Sequence, residues 1–267
     1  MANKDRRTDK YKTDNIKAYT TVSNYIQLRI SDLFFADCAI LVEGAAERLL
    51  LPKAIQTCAT NLRSTHYTII EVGGIYAKHI IPLLEFIELP SIVITDIDSV
   101  ENKQHGKKAE PKPSPKLKSA NPTISEYVGK MAFTELLTLD TARKVHNNVV
   151  RICYQAEADG YEFTPPSKKY ARTLEDALIY ANAHLFASST LKEHFQEPLI
   201  KKLLQEESDK DSIAERAYNI VSDNHFQKTT FAIDCTLVDG LIFPPYVQEG
   251  LLWLEQVVSK KDITANS

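Results

Sequence analysis

Three short apolar runs, alternating with two helical patterns between Cys38 and Asp98, constrain the fold of this chain most strongly. Apolar runs without polar alternation are typical of strands that are buried on both faces of a parallel sheet. Strands and helices follow in the order 38–42, 45–58, 65–72, 76–86 and 91–95. Strand–helix–strand–helix–strand order predicts an α/β fold, with a parallel sheet flanked by helices.

The remaining sequence predicts how this core is extended. We expect a helical lead-in at 1–36, a core domain at 37–176, an added helical subdomain at 177–227, and a return to the core with a C-terminal helix at 228–267. Within the core domain, residues 100–122 hold six lysines and four prolines. Their composition predicts a flexible loop, either a solvated insertion or a basic flap that contacts phosphates.

Local patterns predict further elements. Thr123 and Glu126 match a capping box that opens a helix to Leu139. Residues 231–238 are predicted as a strand or an extended stretch. The other assignments are a lead-in helix at 15–35, a strand at 149–155, a helix from 172, two helices within 193–221 that separate near Asp209, and a final helix through Leu254.

Composition excludes some classes of function and leaves others open. The chain has a net charge of −3, which neither supports nor excludes a nucleic-acid partner. Its four cysteines form no C-x-x-C pair, so we expect neither a zinc site nor disulfides. No apolar run reaches the roughly 18 residues of a membrane span, and no signal peptide is evident. We therefore expect a cytoplasmic protein without a membrane partner. No phosphate-binding loop motif is present, so no ATP is expected to bind this chain.

Acidic residues follow the first and third predicted strands, and parallel strands carry ligands at their carboxyl ends. Glu43 ends the first strand, where an unpaired charge is costly. Glu47 lies in the next helical turn, where a solvated stabilising acid is the simpler interpretation. Asp96 and Asp98, two residues apart, can lean to one side, and their mutual repulsion favours a shared cation. Magnesium prefers such oxygen ligands.

A strand that ends in Glu43-Gly44, followed two βα units later by Asp96-Ile-Asp98, resembles the Toprim fold of topoisomerases, primases and certain nucleases. The wider pattern resembles the OLD (overcoming lysogenisation defect) endonucleases. The motifs that carry this closer resemblance, in order, are Leu33-Phe-Phe-Ala-Asp37, Ile40-Leu-Val-Glu-Gly-Ala-Ala-Glu-Arg48, Glu71-Val-Gly-Gly-Ile-Tyr76, Ile94-Thr-Asp-Ile-Asp-Ser99, Arg172-Thr-Leu-Glu-Asp-Ala177, Lys228-Thr-Thr-Phe-Ala232 and Pro244-Pro-Tyr246. They extend from about Leu33 to Leu254, and the first four are specific in combination.

The resemblance implies a site with two divalent cations, magnesium or manganese, for which calcium can stand in within crystals. The first cation is assigned to Glu43, Glu47, Asp96 and Asp98. The second is assigned to Asp96, Thr173 and Glu175. Glu43, Asp96, Asp98 and Lys228 are the implied catalytic residues, with Lys228 supporting charge on the phosphate. From the residues alone, Thr173 and Asp176 also fit a capping box, and Lys228 is one lysine among many.

The function that this resemblance implies is metal-dependent cleavage of DNA, in the catalytic region of an OLD-family nuclease with a role in phage defence. The expected partners are DNA and an ATPase domain that has no counterpart in this sequence, which is then an excised region or a stand-alone Toprim protein. A homo-oligomer would form through regions outside it. The alternatives are nucleotidyl transfer of the primase or topoisomerase type, and a non-catalytic module that binds nucleic acid or a docking partner.

Overall fold

The computed structural model of the chain describes residues 31–156, 161–162, 168–191 and 193–265. The chain divides into two compact units, Met1–Ala36 and Asp37–Ser267. In the first unit, the described part is a 3-10 turn at Ser31–Phe34. The helix that the sequence predicts at 15–35 therefore lies mostly outside the described residues.

A mixed sheet forms the centre of the second unit. Its strands are β1 (Cys38–Val42), β2 (Tyr67–Glu71), β3 (Ser91–Ile94), β6 (Val145–His146) and β7 (Val150–Cys153), in the spatial order β2-β1-β3-β7-β6. β2, β1, β3 and β7 are parallel, and β6 pairs antiparallel with β7 at one edge. Every residue of β1, β3 and β7 is buried. The apolar runs thus form a parallel sheet covered on both faces, and the predicted α/β fold is confirmed.

Helices cover this sheet. They are α1 (Ala45–Cys58), α2 (Gly73–Phe86), α3 (Phe133–Leu137), α4 (Leu174–Ala181), α5 (Ala183–Phe186), α6 (Pro198–Glu206), α7 (Lys210–Val221), α8 (Lys228–Thr236) and α9 (Pro245–Ala265). The charged segment separates into α6 and α7 as predicted, with Asp209 capping α7. The prediction of a strand or an extended stretch at 231–238 is wrong, because residues 231–236 belong to α8. None of the described helices combines the length and the hydropathy that crossing a lipid bilayer requires.

One hydrophobic core joins the sheet to the later helices. Buried residues of β1, α1, α4, α7, α8 and α9 belong to the same cluster. Phe186, Phe195 and Phe231 pack in its aromatic part, with ring centroids of Phe186 and Phe195 5.0 Å apart. α8 packs along α1, and α9 packs on α1, β3 and β7. Residues distant in sequence are therefore held rigidly beside the first βα unit.

The lysine- and proline-rich segment departs from its prediction as a loop without regular structure. β4 (Ser99–Glu101) and β5 (Leu117–Ser119) form an antiparallel hairpin, and Val100 also bridges to Lys108. The Glu101 amide donates to the Lys107 carbonyl at 2.9 Å. Because main-chain hydrogen bonds form this ladder, a composition rich in lysine and proline does not exclude it. Two further short strands, β8 (Tyr161–Glu162) and β9 (Lys168–Lys169), pair antiparallel.

The helix predicted from Thr123 to Leu139 is interrupted. Residues 124–128 form a π-helical turn, and Gly129 has φ +117°, which ends that turn before α3 begins. The predicted capping box at Thr123 is wrong, since the Thr123 side chain accepts no capping hydrogen bond. The side-chain oxygen of Asn121 instead accepts from the amides of Thr123 and Ile124, at 2.9 and 3.2 Å. A short polar side chain before the turn therefore provides the cap.

Candidate metal centre

Glu43 directly follows β1 and is held by three donors. Its Oε1 accepts hydrogen bonds from the Thr95 hydroxyl, from the Asp96 amide at 3.1 Å and from the Asn121 side-chain amide at 3.1 Å. Burial raises the pKa of the Glu43 carboxyl above its ordinary value, and the bonds from Thr95 and the Asp96 amide offset only part of this effect. The carboxylate is thus fixed in place by neutral groups that do not cancel its charge.

Asn121 is a site residue that sequence reasoning did not select, because it lies in the segment predicted as a flexible loop. Its side chain is 1% exposed. Its Nδ2 also donates to the Thr95 hydroxyl at 2.6 Å and to the Asp96 carbonyl at 2.8 Å. One amide therefore joins the end of β1 to the end of β3, while its oxygen caps the turn that follows.

Asp96 follows β3 and is held from its other side by Gln155, which follows β7. The Gln155 Nε2 lies 3.1 Å from both the Asp96 Oδ1 and the Tyr246 hydroxyl, and its Oε1 accepts from the Ile97 amide at 2.8 Å. Burial and the nearby Glu43 charge raise the pKa of Asp96 well above its ordinary value. The position of Gln155 at the carboxyl end of a predicted strand was the signal that could have identified it.

Asp98 lies beyond the strand whose two-residue period suggested its position, and its charge still acts on Glu43. β3 ends at Ile94, so the two-residue period of a strand no longer applies, and Asp98 adopts a left-handed conformation with φ +49°. Its carboxylate pairs with the Arg172 guanidinium, which also donates to the Ser99 carbonyl at 3.3 Å. Arg172, to which the sequence assigned no role, thereby connects the hairpin to the start of α4.

Glu47 lies in the first turn of α1 and is 6% exposed. Its Oε2 accepts a hydrogen bond from the Gly44 amide at 3.1 Å, which caps the helix. Burial raises the pKa of Glu47 to about 7, and the charge of Glu175 acts in the same direction. Glu47 is therefore not a solvated surface acid. Its burial near a second carboxylate is typical of a functional acid.

Glu175 and Lys228 come from two different helices, α4 and α8, that meet at the same place. The Lys228 Nζ lies 3.0 Å from each oxygen of the Glu175 carboxylate. Only Oε2 has the geometry of a hydrogen-bond acceptor, and the buried Oε1 has no hydrogen-bond donor. Partial burial alone would lower the pKa of Lys228, but the carboxylates of Glu175 and Asp96 outweigh it and hold this pKa above its ordinary value.

Thr173 and Asp176 form the capping box at the start of α4 that their spacing predicted. The amide and the hydroxyl of Thr173 donate to the Asp176 Oδ1 at 2.7 and 3.0 Å, and the Arg172 amide donates to Oδ2 at 2.9 Å. Burial raises the pKa of Asp176 to about 6, although these backbone bonds oppose the shift. The hydroxyl oxygen of Thr173 keeps lone pairs that its donor role does not use.

Four of the acids and Lys228 act on one another electrostatically: Glu43, Glu47, Asp96 and Glu175. Across the described ranges, no group of three or more His, Cys, Asp or Glu side chains could hold a metal ion between them. Asp98 and Glu175 are held by Arg172 and Lys228 instead. The donor set nevertheless suits a hard cation, because it consists of oxygens and includes the buried Glu175 Oε1 without a donor.

A parallel sheet with acids after its first and third strands defines this chain as a Toprim-like α/β protein. Residues 34–98 match the family model described as "Overcoming lysogenization defect protein-like, TOPRIM domain". This match confirms the family resemblance found in the sequence.

The relatives carry related names. Endonuclease GajA of Bacillus cereus (strain HuB5-5) is 24% identical over 241 residues, which cover 87% of this chain and 33% of that protein. Endonuclease GajA of Bacillus cereus (strain VD045) is 29% identical over 92 residues, which cover 34% of this chain and 16% of that protein. The chain thus spans about a third of the length of the first of these relatives.

Among solved structures, the chain is similar to the C-terminal region of the Burkholderia pseudomallei OLD protein. The TM-score is 0.51 at 18% sequence identity, and the match covers 84% of this chain and 99% of that one. At this level of identity the likeness shows a shared fold, which extends beyond the first βα units to the added helices.

Proposed function

We propose that this chain is the catalytic region of a metal-dependent endonuclease that hydrolyses phosphodiester bonds in DNA. The observation that carries this proposal is the gathering of four buried or half-buried carboxyls around one lysine at the carboxyl edge of a parallel sheet. Carboxylates that repel one another at such an edge favour a cation, and cations attract phosphates. The endonuclease names of the two relatives support the same activity.

We assign two divalent cations, Mg²⁺ or Mn²⁺, to the oxygen donors at this edge of the sheet. Glu43, Glu47, Asp96 and Asp98 would hold the first, and Asp96, Thr173 and Glu175 would hold the second. The buried Glu175 Oε1 supports this assignment, because the Lys228 ammonium contacts it at 3.0 Å without hydrogen-bond geometry and leaves a lone pair for a cation. When bound, such a pair of cations supplies an activated water and positive charge at the leaving oxygen.

The residues of the chain itself would orient and balance these groups. Asn121 and Gln155 hold the Glu43 and Asp96 carboxylates through hydrogen bonds from neutral amides. Lys228 would move its ammonium from Glu175 to a non-bridging phosphate oxygen, where it stabilises the charge that develops during cleavage. Arg172 would release Asp98 when a cation replaces its guanidinium.

The partners follow from the same proposal. DNA is the substrate, and an ATPase domain would belong to a longer protein, since the chain spans only about a third of its first relative. A role in phage defence, which the family resemblance implies, would be tested by plating phage on cells with and without the active-site acids. The ATPase domain and the role in phage defence concern the whole protein, and the proposed cleavage chemistry does not depend on either of them.

Incubation of the purified chain with supercoiled plasmid tests the proposed activity. We expect nicked or linear DNA with Mg²⁺ or Mn²⁺, no cleavage with a chelator, and no requirement for ATP. The matched controls are Glu43→Gln, which removes a proposed ligand, and Glu206→Gln, which removes an exposed acid on α6 outside the centre. Cleavage by Glu43→Gln at the rate of the parent protein would contradict the proposal.

A non-catalytic nucleic-acid module is the second candidate, and one observation favours it. Glu175 and Asp98 already have cationic partners, Lys228 and Arg172, so these two acids are neutralised without metal. DNA binding without cleavage under any divalent cation would support this alternative. Metal-dependent cleavage would exclude it.

A further inference from the structure

A groove of about 610 Å³ lies between the β4–β5 hairpin and the segment that leads into α3. We call it the hairpin groove. β5 forms one side of it, and residues 124–125 and 129–132 form the other. Lys118 and Lys130, one on each side, are exposed, so the groove is open to solvent. Its volume is in the range of ligand sites and is much larger than the packing gaps within a core.

The charged residues that line the hairpin groove are lysines. Lys118 and Lys130 are the charged members of its described lining, and neither forms an ion pair within the described part of the chain. The Lys118 ammonium donates to the Lys103 carbonyl at 3.4 Å, which leaves its charge uncompensated. The acids within residues 99–132 already have lysine partners: Glu101 with Lys103, Glu110 with Lys169 and Glu126 with Lys78. The groove therefore attracts an anion.

The same lining also presents apolar surface to solvent. Pro115, Ala120 and Ala132 are exposed, and Met131 is half-buried. A bare inorganic anion would contact the lysines and leave this apolar surface uncovered. A matching ligand therefore combines negative charge with an apolar part, as a nucleotide does. In a duplex the base faces are stacked against one another, whereas a single strand can turn them toward a protein.

The hairpin groove adjoins the proposed metal centre. Ala120 lines the groove, and the next residue, Asn121, donates to the Glu43 carboxylate and to the Asp96 carbonyl. The Ala120 amide itself donates to the Asp98 carbonyl at 3.0 Å. Consecutive Cα atoms are about 3.8 Å apart, so the groove begins within one residue of the contacts that hold the proposed metal ligands. A strand in the groove would therefore lie beside the bond at the metal centre.

Contacts on the other side of the hairpin hold it in this position. The Arg172 guanidinium donates to the Ser99 carbonyl at 3.3 Å. The Lys169 ammonium lies 3.0 Å from the Glu110 carboxylate, and the Lys169 side chain is only 11% exposed. Because these contacts fix the hairpin without a ligand, binding would not have to order it first.

We propose that the hairpin groove binds a single-stranded segment of DNA next to the bond that the metal centre cleaves. Lys118 and Lys130 would contact phosphates of this segment, and a base would lie against Met131 and Ala132. The position of the segment beside the cleaved bond rests on the proposed function. Binding itself requires neither metal nor cleavage.

Fluorescence anisotropy of labelled oligonucleotides, in chelator and at low salt, tests the site. The probes are a thymidine strand of about 16 nucleotides, a duplex of the same length, and a single strand of abasic residues with the same number of phosphates. The thymidine strand should bind about fivefold more tightly than the other two, because it alone brings both phosphates and exposed bases. Equal or tighter binding of the duplex or of the abasic strand would overturn the proposal.

Variants locate the binding. Lys118→Met and Lys130→Met should each weaken binding of the thymidine strand about fivefold and reduce the slope of log affinity against log salt by about 0.7. Lys112→Met is the matched control, because Lys112 is an exposed lysine of the same segment that does not line the groove. It should bind within about twofold of the parent. An equal effect of all three substitutions would show that the segment acts as diffuse positive charge, and would overturn the proposal.

Cleavage assays separate this proposal from the proposed function. With Mg²⁺ or Mn²⁺, a duplex with a single-stranded gap should be cut faster than the intact duplex, and Lys118→Met should reduce this preference. Single-strand binding that depends on Lys118 and Lys130, in a parent that cleaves no DNA, would support the groove and contradict the proposed function. Metal-dependent cleavage by a parent whose DNA binding both groove variants leave unchanged would contradict the groove alone.

Discussion

The acids at the strand ends and the acid on the helices are held in opposite ways. Glu43 and Asp96 receive hydrogen bonds from neutral groups, chiefly the amides of Asn121 and Gln155. Glu175 instead pairs with the ammonium of Lys228, 3.0 Å from each of its oxygens. The first arrangement fixes the position of a carboxylate and leaves its charge to act on its surroundings. The second arrangement compensates the charge within the protein.

This difference predicts how the strand ends and the ion pair contribute to activity and to stability. Buried carboxyls that keep uncompensated charge lower the stability of the fold and attract a cation. An ion pair that lies partly in solvent is less costly and joins α4 to α8. We therefore expect substitutions at the strand ends to change activity far more than stability, and substitutions in the ion pair to change both.

Asp96→Asn should have the largest effect. The asparagine keeps Oδ1 for the bond from Gln155 and removes one of the mutually repelling charges. Cleavage should fall about a thousandfold, because a ligand proposed to serve both cations is lost. Stability should rise by about 1 kcal/mol, which corresponds to a melting temperature about 2–4 °C higher. Plasmid cleavage and thermal unfolding without metal measure the two effects.

Lys228→Met should come next, because it leaves the Glu175 carboxylate without its cation. Complete burial of the pair would make this cost about 3–5 kcal/mol, but the Lys228 side chain is 49% exposed, so we expect about 1–3 kcal/mol. Cleavage should also fall about a hundredfold, since the donor for the phosphate is removed.

The double variant Lys228→Met/Glu175→Gln separates these two losses. Its stability should return close to that of the parent, because no buried charge is left unpaired, while its cleavage should stay low. Recovery of cleavage together with stability would assign this pair a structural role alone.

Asn121→Ala should have a smaller effect that is selective for the metal centre. It removes the donor to Glu43 and the cap of the following turn, at a cost of about 1–3 kcal/mol. The metal concentration for half-maximal cleavage should rise about tenfold or more, as for other residues that orient metal ligands.

Asn182→Ala is the matched control for this prediction. Asn182 is also buried, and its amide bonds to the carbonyls of Leu178 and Ile242 away from the centre. A similar loss of stability is expected without a change in metal dependence. An equal shift for both variants would show that Asn121 acts only through the stability of the fold.

The sequence predicted the parts of this molecule that repeat a simple pattern. β1 is a continuous apolar run, and β3 and β7 each contain a single polar residue, so their burial, their parallel pairing and the position of Glu43 and Asp96 after β1 and β3 follow from the sequence pattern. Periodicity stops being informative where a strand ends. Asp98 pairs with Arg172 at a point where the backbone becomes left-handed, and no two-residue spacing predicts that change.

Residues that act through tertiary contacts were harder to predict. Lys228 was selected by family resemblance, and its contact with Glu175 depends on the packing of α8 against α1. Asn121 was missed because the lysines and prolines around it predicted a flexible loop, whereas main-chain hydrogen bonds form a hairpin there. The assignment of the individual metal ligands stays a prediction, since the ligands for a cation depend on side-chain positions that a pattern of residue types does not specify.

Glu47 gives the smallest expected effect, a pH dependence of stability. Its pKa is raised to about 7 in the folded chain, from an ordinary value of 4.5. Between these values the folded state binds more protons than the unfolded state, so the free energy of unfolding should fall as pH rises. The stabilisation from the protonated acid is complete below pH 4.5 and is lost by about pH 7.

Glu47→Gln tests this prediction, because glutamine resembles the protonated acid and can still accept from the Gly44 amide. Without metal, the variant should match the parent near pH 4 and exceed its stability by about 1–3 kcal/mol near pH 8. Chemical unfolding of both proteins across this range reports Glu47 together with its effect on Asp96, since groups on which Glu47 is not seen to act, such as Asp176, contribute equally to both. Parallel curves for the two proteins would mean that Glu47 titrates normally. Added Mg²⁺ should reverse their order near pH 8, because the cation stabilises only the protein that keeps its full set of carboxylates.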